Sequence, residues 1–348
     1  MKNRIIPESV LPFARSFPIS TGADHLLNPE ISYAPQSRIV GFMMELAGVR
    51  GANMIYSLLG WSQHFLAKSH ARGLTVVTEF YVRPSLWRIH QQEYLKFPEW
   101  EAEMPYAQSN PSMDTKRWLC DFSDYLITPT QAVKDDLVEE GLFDGERIHV
   151  VPYGIGEAFF QTKNQPVPGK VLFVGSCIII KGIHYLAKAS QEVMKEAGQL
   201  TPQFIAAGEA TDLVRQHPDC THLRFLGRVP RREINRLYTD ADVLVFPTLS
   251  DAFGMVILEA MAAGIPVICS PYCADVVEDG ISGFVVEPRD TQALAQAISK
   301  IIHDRPLRDR MSNAAKERAR LFTREEHGQK LARTLRELHS LKISQSLC

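Results

Sequence analysis

Long apolar runs are missing from this 348-residue chain: nothing approaches the roughly 18 residues of a membrane-spanning helix. The opening stretch, Met1 to Val10, is basic but has no apolar core, so it does not read as a secretory leader. An excess of charge is missing too. A formal charge of −2 excludes the broad basic footprint of a nucleic-acid binder. Residues 1–155 hold 14 Lys and Arg against 18 Asp and Glu, so peripheral contact with anionic lipid gets no support from charge. Cysteines are few and lack a ligand pattern. Cys269 and Cys273 have three residues between them, and no second pair completes a zinc set, so no metal is expected. The thiols read as small buried hydrophobes of a reducing compartment, and the protein as cytoplasmic. What remains is globular composition, 45% hydrophobic and 22% charged, with length enough for two domains.

The most informative stretch runs from Val243 to Val267. An apolar run broken by Pro247 leads to Asp251-Ala-Phe-Gly254, then to an apolar segment through Glu259, then to Gly264-Ile-Pro266-Val. That order predicts buried strand, loop, helix, turn and buried strand. A helix starting near Phe253-Gly254 presents unpaired N–H groups and a positive dipole, which accept phosphate. Gly254 allows close approach of a ligand. Asp251 stands before that anion site, and Glu259 lies about a turn and a half behind it. A carboxylate on each side of a phosphate suits a sugar nucleotide. Capping is the plainer explanation of acidic residues near a helix start, and Met255, Ile257, Leu258 and Met261 are core residues either way.

The first half predicts β-α-β order with short turns: strand 53–59, helix 62–71, strand 74–80, strand 125–129, helix 131–140 and strand 147–152. Residues 1–35 read as an irregular lead-in, and 36–46 and 114–121 as helices. The aromatic stretch 81–111, with a helix around 86–95, reads either as a functional loop or as a satellite cluster. Pro166 and Pro168 mark the domain boundary within 161–169. Strand 170–175 then delivers Gly175, with Lys181-Gly182 at the start of the next helix, where the dipole disfavours a cation unless an anion is bound. His64 and His90 are candidate site histidines, although a lone histidine is more often structural.

These motifs resemble the retaining GT-B glycosyltransferases of family 4 (glycosyl transferases group 1). The resemblance runs through Asp242-Val-Leu-Val-Phe-Pro, Asp251-Ala-Phe-Gly, Glu259-Ala-Met-Ala-Ala-Gly-Ile-Pro-Val and Asp279-Gly-Ile-Ser-Gly283, with Asp251 and Glu259 as the two acids of the Glu-x7-Glu signature. It implies an α/β fold of two Rossmann-like domains facing across a cleft: residues 1–160 on the acceptor side, 161–322 on the nucleotide-sugar side, and 323–348 as a helix crossing back. It also implies hexosyl transfer with retention, without a metal or other cofactor, from a UDP- or GDP-linked sugar to a glycan, lipid-linked or small-molecule acceptor, as in polysaccharide biosynthesis. Lys181, Asp251 and Glu259 take the catalytic positions. Donor-binding positions fall on Gly175, Ser176, Lys181, Gly208, Glu209, Arg228, Phe253, Gly254, Met255, Val256 and Glu259.

Three positions depart from the family's pattern. Ser176 stands where the family has an arginine on the diphosphate. Tyr153 stands at the Asn of the Pro-Asn-Gly run. Phe80, preceded by Glu79, stands where many members carry a histidine facing the sugar, which makes Glu79 the catalytic candidate on that side. A Gly-rich loop near the start is also missing before residue 41, so the N-terminal domain reads as reduced. The alternatives are a catalytically weak or inactive nucleotide-sugar-binding protein or fragment, and a GT-B nucleotide-sugar epimerase.

Overall fold

The structure, a computed structural model, describes residues 51–59, 63–102, 120–273 and 275–346. The expected lead-in, the helix over 36–46 and nearly all of the helix over 114–121 lie outside these residues.

The first half forms β1 (Met54–Leu58), α1 (Gln63–Ala71), β2 (Thr75–Glu79), α2 (Leu86–Lys96), β3 (Tyr125–Thr128), α3 (Gln131–Glu139) and β4 (Ile148–Val150). All pairings are parallel, in the order β1-β2-β3-β4. Val76, Val77 and Leu126 are fully buried, as expected where helices cover both faces of a parallel sheet. Thr130 caps α3 by accepting from the Val133 amide at 3.3 Å.

The second half forms β5 (Lys170–Val174), α4 (Ile183–Glu196), β6 (Gln203–Ala207), α5 (Asp212–Gln216), β7 (Leu223–Gly227), α6 (Arg231–Asp240), β8 (Val243–Phe246), α7 (Met255–Ala263), β9 (Val267–Cys269), β10 (Gly283–Val285), α8 (Thr291–His303) and α9 (Arg305–Ala319). These strands are also parallel, in the order β10-β9-β8-β5-β6-β7. The core packs Phe173, Leu244 and Val245 of the sheet with Ile257, Leu258 and Met261 of α7 and Ile298 of α8. Asp242 pins the entry to β8. It accepts from the Gly169 amide at 2.9 Å and pairs with Arg305 at 2.7 Å and Arg308 at 3.1 Å.

The last helix, α10 (Arg324–Ser346), packs Leu331, Leu335 and Leu338 against Val77, Tyr125, Ile127 and Val151 of the first half. An opposite crossing comes from α2. Ile89 of α2, and Trp100 just beyond it, join the core of the second sheet. Trp100 is fully buried and stacks on His217, with ring centroids 3.9 Å apart. The described part of the aromatic stretch is therefore not a satellite cluster. It is an arm whose start is held to Asp136 of α3 by Arg83 and Ser85 and whose end is built into the other half.

Candidate functional site

The second sheet reverses its strand order between β5 and β8, and open α/β sheets bind ligands outside the carboxyl ends of strands at such a switch point. The loop after β5 carries Gly175, Ser176 and Lys181. The loop after β6 carries Gly208 and Glu209, and the turn after β7 carries Arg228. The loop after β8 carries Asp251, Phe253 and Gly254, with Met255, Val256 and Glu259 on α7 behind it. The donor-side candidates therefore gather along one edge of one sheet. The side chains of Ser176, Glu209 and Arg228 are exposed, and that of Phe253 is buried.

Close packing of these loops depends on two glycines. A Cβ at Gly182 would lie 2.0 Å from the Pro247 carbonyl oxygen, and one at Gly208 would lie 1.7 Å from that of Gly175. Gly182 also has φ 76, which turns the chain out of the 3-10 segment Ile179–Lys181 into α4.

At the switch point Lys181 meets Asp251. The Lys181 Nζ lies 2.6 Å from Asp251 Oδ2 and donates to the Ser250 carbonyl at 3.0 Å. Asp251 Oδ1 accepts from the amides of Phe253 at 3.0 Å and Gly254 at 2.8 Å. Burial alone would push the Asp251 carboxyl up. The Lys181 ammonium and the two amides reverse that and hold it below the usual carboxylate range. The amides that sequence reasoning assigned to a phosphate thus hold a carboxylate here. The helix also starts slightly later than expected, at Met255, with Gly254 as a left-handed cap at φ 71. Four residues into α7, Glu259 is buried and accepts from the Tyr238 hydroxyl at 3.0 Å.

On the first sheet, Glu79 closes β2 and is buried. It accepts from the hydroxyls of both Tyr56 and Tyr153. The Tyr153 ring packs edge-on to Phe253 with centroids 5.3 Å apart, so Glu79 is joined through one tyrosine to the Asp251 loop. Thr130 adds a second link, donating to the Ala252 carbonyl at 2.9 Å. Sequence reasoning noticed Tyr153 as a departure but missed this contact, and missed Tyr56 and Tyr238 altogether, because nothing local marks a tyrosine as a partner for a distant carboxylate.

The two histidines part from the site candidates. His90 is fully buried, with Nε2 2.8 Å from Glu101, so it is a structural pair rather than an acceptor-side group. His64 is exposed on α1. Burial pushes the thiols of Cys120, Cys177 and Cys220 up to about 12, which suits inert packing residues. Among the described residues no group of three or more His, Cys, Asp or Glu is placed to hold a metal, and no helix is long and apolar enough to cross a membrane.

Residues 155–318 match the family described as glycosyl transferases group 1. The chain carries a group 1 glycosyl transferase domain. Glycogen synthase of Mycobacterium tuberculosis is 30% identical over 256 residues, which is 70% of this chain and 60% of the relative. D-inositol 3-phosphate glycosyltransferase of Corynebacterium urealyticum is 29% identical over 251 residues, 64% of this chain and 59% of the relative. The chain thus matches about three fifths of the length of these curated relatives. Among solved structures, sucrose-phosphate synthase from Thermosynechococcus elongatus superposes with a TM-score of 0.68 at 19% identity, covering 90% of this chain and 81% of the other. HepE of Anabaena, in complex with UDP and glucose, superposes with a TM-score of 0.65 at 21% identity, covering 87% and 82%. The two-sheet α/β architecture expected of a GT-B glycosyl transferase is borne out.

Proposed function

We propose that this chain transfers a hexosyl unit from a nucleotide-diphosphate sugar to a hydroxyl of a glycan, lipid-linked or small-molecule acceptor, with retention at the anomeric carbon. The observation that carries the reading is the meeting of Lys181, Asp251 and the Phe253 and Gly254 amides at the switch point of the domain that matches the family. The reaction must stabilise a departing diphosphate and an oxocarbenium-like sugar. Preorganised charge does this best, because it needs no reorganisation as the bond breaks. Lys181 supplies the cation for the leaving group. Asp251 gives up the ammonium and amides to the donor and turns its carboxylate to the sugar hydroxyls. Glu259, steadied by Tyr238, holds the ribose. Glu79, held by two tyrosines, faces the acceptor side. The loops with Gly175, Ser176, Gly208, Glu209 and Arg228 surround the nucleotide, and Met255 and Val256 extend the wall begun by Phe253 and Gly254. UDP is the favoured nucleotide, supported by the UDP and glucose complex of the structural neighbour HepE.

The proposed division places the acceptor-side domain at 1–160, the donor domain at 161–322 and the returning helix at 323–348, with the α2 arm counted with the donor domain because its anchors lie in that core.

Incubation with UDP-glucose and a panel of sugar and polyol acceptors tests the reading. The expected outcome is UDP release that depends on acceptor, with an α-linked product by NMR. UDP-glucose that binds but is never transferred would favour the non-catalytic alternative. A β-linked product would contradict retention.

A further inference from the structure

The loop after β5 settles most of its backbone within its own domain. Gly175 N–H donates to Ala207 at 3.0 Å, Cys177 N–H to Glu209 at 2.8 Å, Lys181 N–H to Ile178 at 3.0 Å and Gly182 N–H to Ile179 at 2.8 Å. Ile179 differs. It is fully buried, it opens the 3-10 turn that ends at Lys181, and its N–H donates to a side chain from the other half of the chain, Glu101 Oε1, at 2.8 Å. Glu101 is itself buried, and its second oxygen lies 2.8 Å from His90 Nε2. A side-chain oxygen on an otherwise unpaired amide of the first turn is what a helix cap provides. Here the cap comes from 78 residues earlier in the chain.

We propose that Glu101 is a positioning residue for the donor site: held by His90, its carboxylate fixes the turn Ile179–Lys181 and so aims the Lys181 ammonium at the switch point. The donor part of this rests on the proposed function. The alignment runs without a gap from His90 to Glu101, to the Ile179 amide, through the turn to Lys181 and across to Asp251.

The arm that brings Glu101 is fastened independently. Glu93 of α2 is fully buried and meets His184 at 3.1 Å and Arg289 at 2.8 Å, and also the Tyr185 hydroxyl. Trp100 and Ile89 sit in the second core. Removing the Glu101 carboxylate therefore leaves the arm docked and removes the cap together with its pairing to His90.

Two variants of the full chain test this, Glu101→Ala and Glu101→Gln. Glutamine keeps a carbonyl oxygen for Ile179 and meets His90 through the other imidazole tautomer. The first readout needs no ligand: hydrogen exchange at the amides of residues 179–182. Alanine speeds it about tenfold, and glutamine restores it to within about threefold of wild type. The second is calorimetric affinity for UDP at a temperature where all three chains are folded. Alanine weakens it about tenfold and glutamine restores most of it. Unchanged exchange in the alanine variant overturns the proposal. So does faster exchange with unchanged UDP affinity, because the cap would then serve stability only. So does a glutamine variant as impaired as alanine. A wild-type chain that binds no UDP, GDP or ADP contradicts the proposed function instead, and the exchange arm still decides whether Glu101 fixes the turn.

Discussion

The two sheets are stabilised differently. The second rests on one continuous apolar cluster that reaches from β5 through α7 to α8 and α9. Among the described residues, the first divides its interior among three smaller clusters: one around Leu126 and Leu137, one around Phe65 and Val76, and one in which Val77 and Ile127 meet Leu338 of α10. The difference extends to the functional groups. On the second sheet the candidates sit in loops whose backbone is locked by neighbouring loops, and that is the region that matches the family. On the first sheet Glu79 is held by side chains, Tyr56 and Tyr153. Under the proposed function, the donor is met by a rigid frame and the acceptor by a surface that side-chain replacements can rebuild. Tyr153, one departure from the family's pattern on that side, touches Glu79, the residue that precedes another, Phe80.

Breaking the arm's hold on the second core has the largest expected effect. Glu93→Ala strands His184, Tyr185 and Arg289, and lowers unfolding stability by about 3–5 kcal/mol in urea titration at neutral pH. A loss under about 1 kcal/mol would mean the arm's packing, not its charges, fastens it. The same residue has a pH signature. Burial raises the Glu93 carboxyl, but hydrogen bonds from His184, Tyr185 and Arg289 and the Arg289 charge bring it down to about 2. A carboxyl depressed in the folded state contributes stability above its unfolded value of about 4.3 and loses it as pH falls toward the folded one. The gap between wild type and Glu93→Ala should therefore be full at neutral pH and narrow between about pH 4.3 and the folded value of about 2.

A smaller change sharpens the acceptor side of the comparison. Tyr153→Phe keeps the ring against Phe253 and removes one hydrogen bond to Glu79. It should lower kcat about tenfold with donor KM nearly unchanged, and cost about 1–2 kcal/mol or less in stability. Combined with Glu79→Gln, it should add little further loss, since both act through one carboxylate. Full additivity in that double-mutant cycle would separate Tyr153 from Glu79.

Most strands were legible as apolar runs bounded by Gly or Pro. Val243–Phe246 and Lys170–Val174 are found where the pattern put them. The loops after β5 and β8 were legible from their glycines, Lys181 and Asp251, and those after β6 and β7 only from the resemblance to the family. Three features were not. The arm's docking depends on Glu93 meeting Arg289, 196 positions away, and a glutamate on an amphipathic helix reads as a solvated face until its partners are known. Asp251 filling the amides of Phe253 and Gly254 is local, but a sequence does not say whether an anion site is filled by the chain itself. His90 reads as a candidate site histidine, and its pairing with Glu101 emerges only when the arm folds back against the second sheet.

Calorimetric titration of the purified chain with UDP, GDP and ADP, repeated on Glu259→Ala, tests the central claim most directly. The account predicts micromolar binding of one nucleotide, UDP before the others, weakened at least about a hundredfold when the carboxylate beneath the switch point is removed. Binding of none of the three, or binding that Glu259→Ala leaves intact, would contradict a donor site built on the loops after β5 and β8.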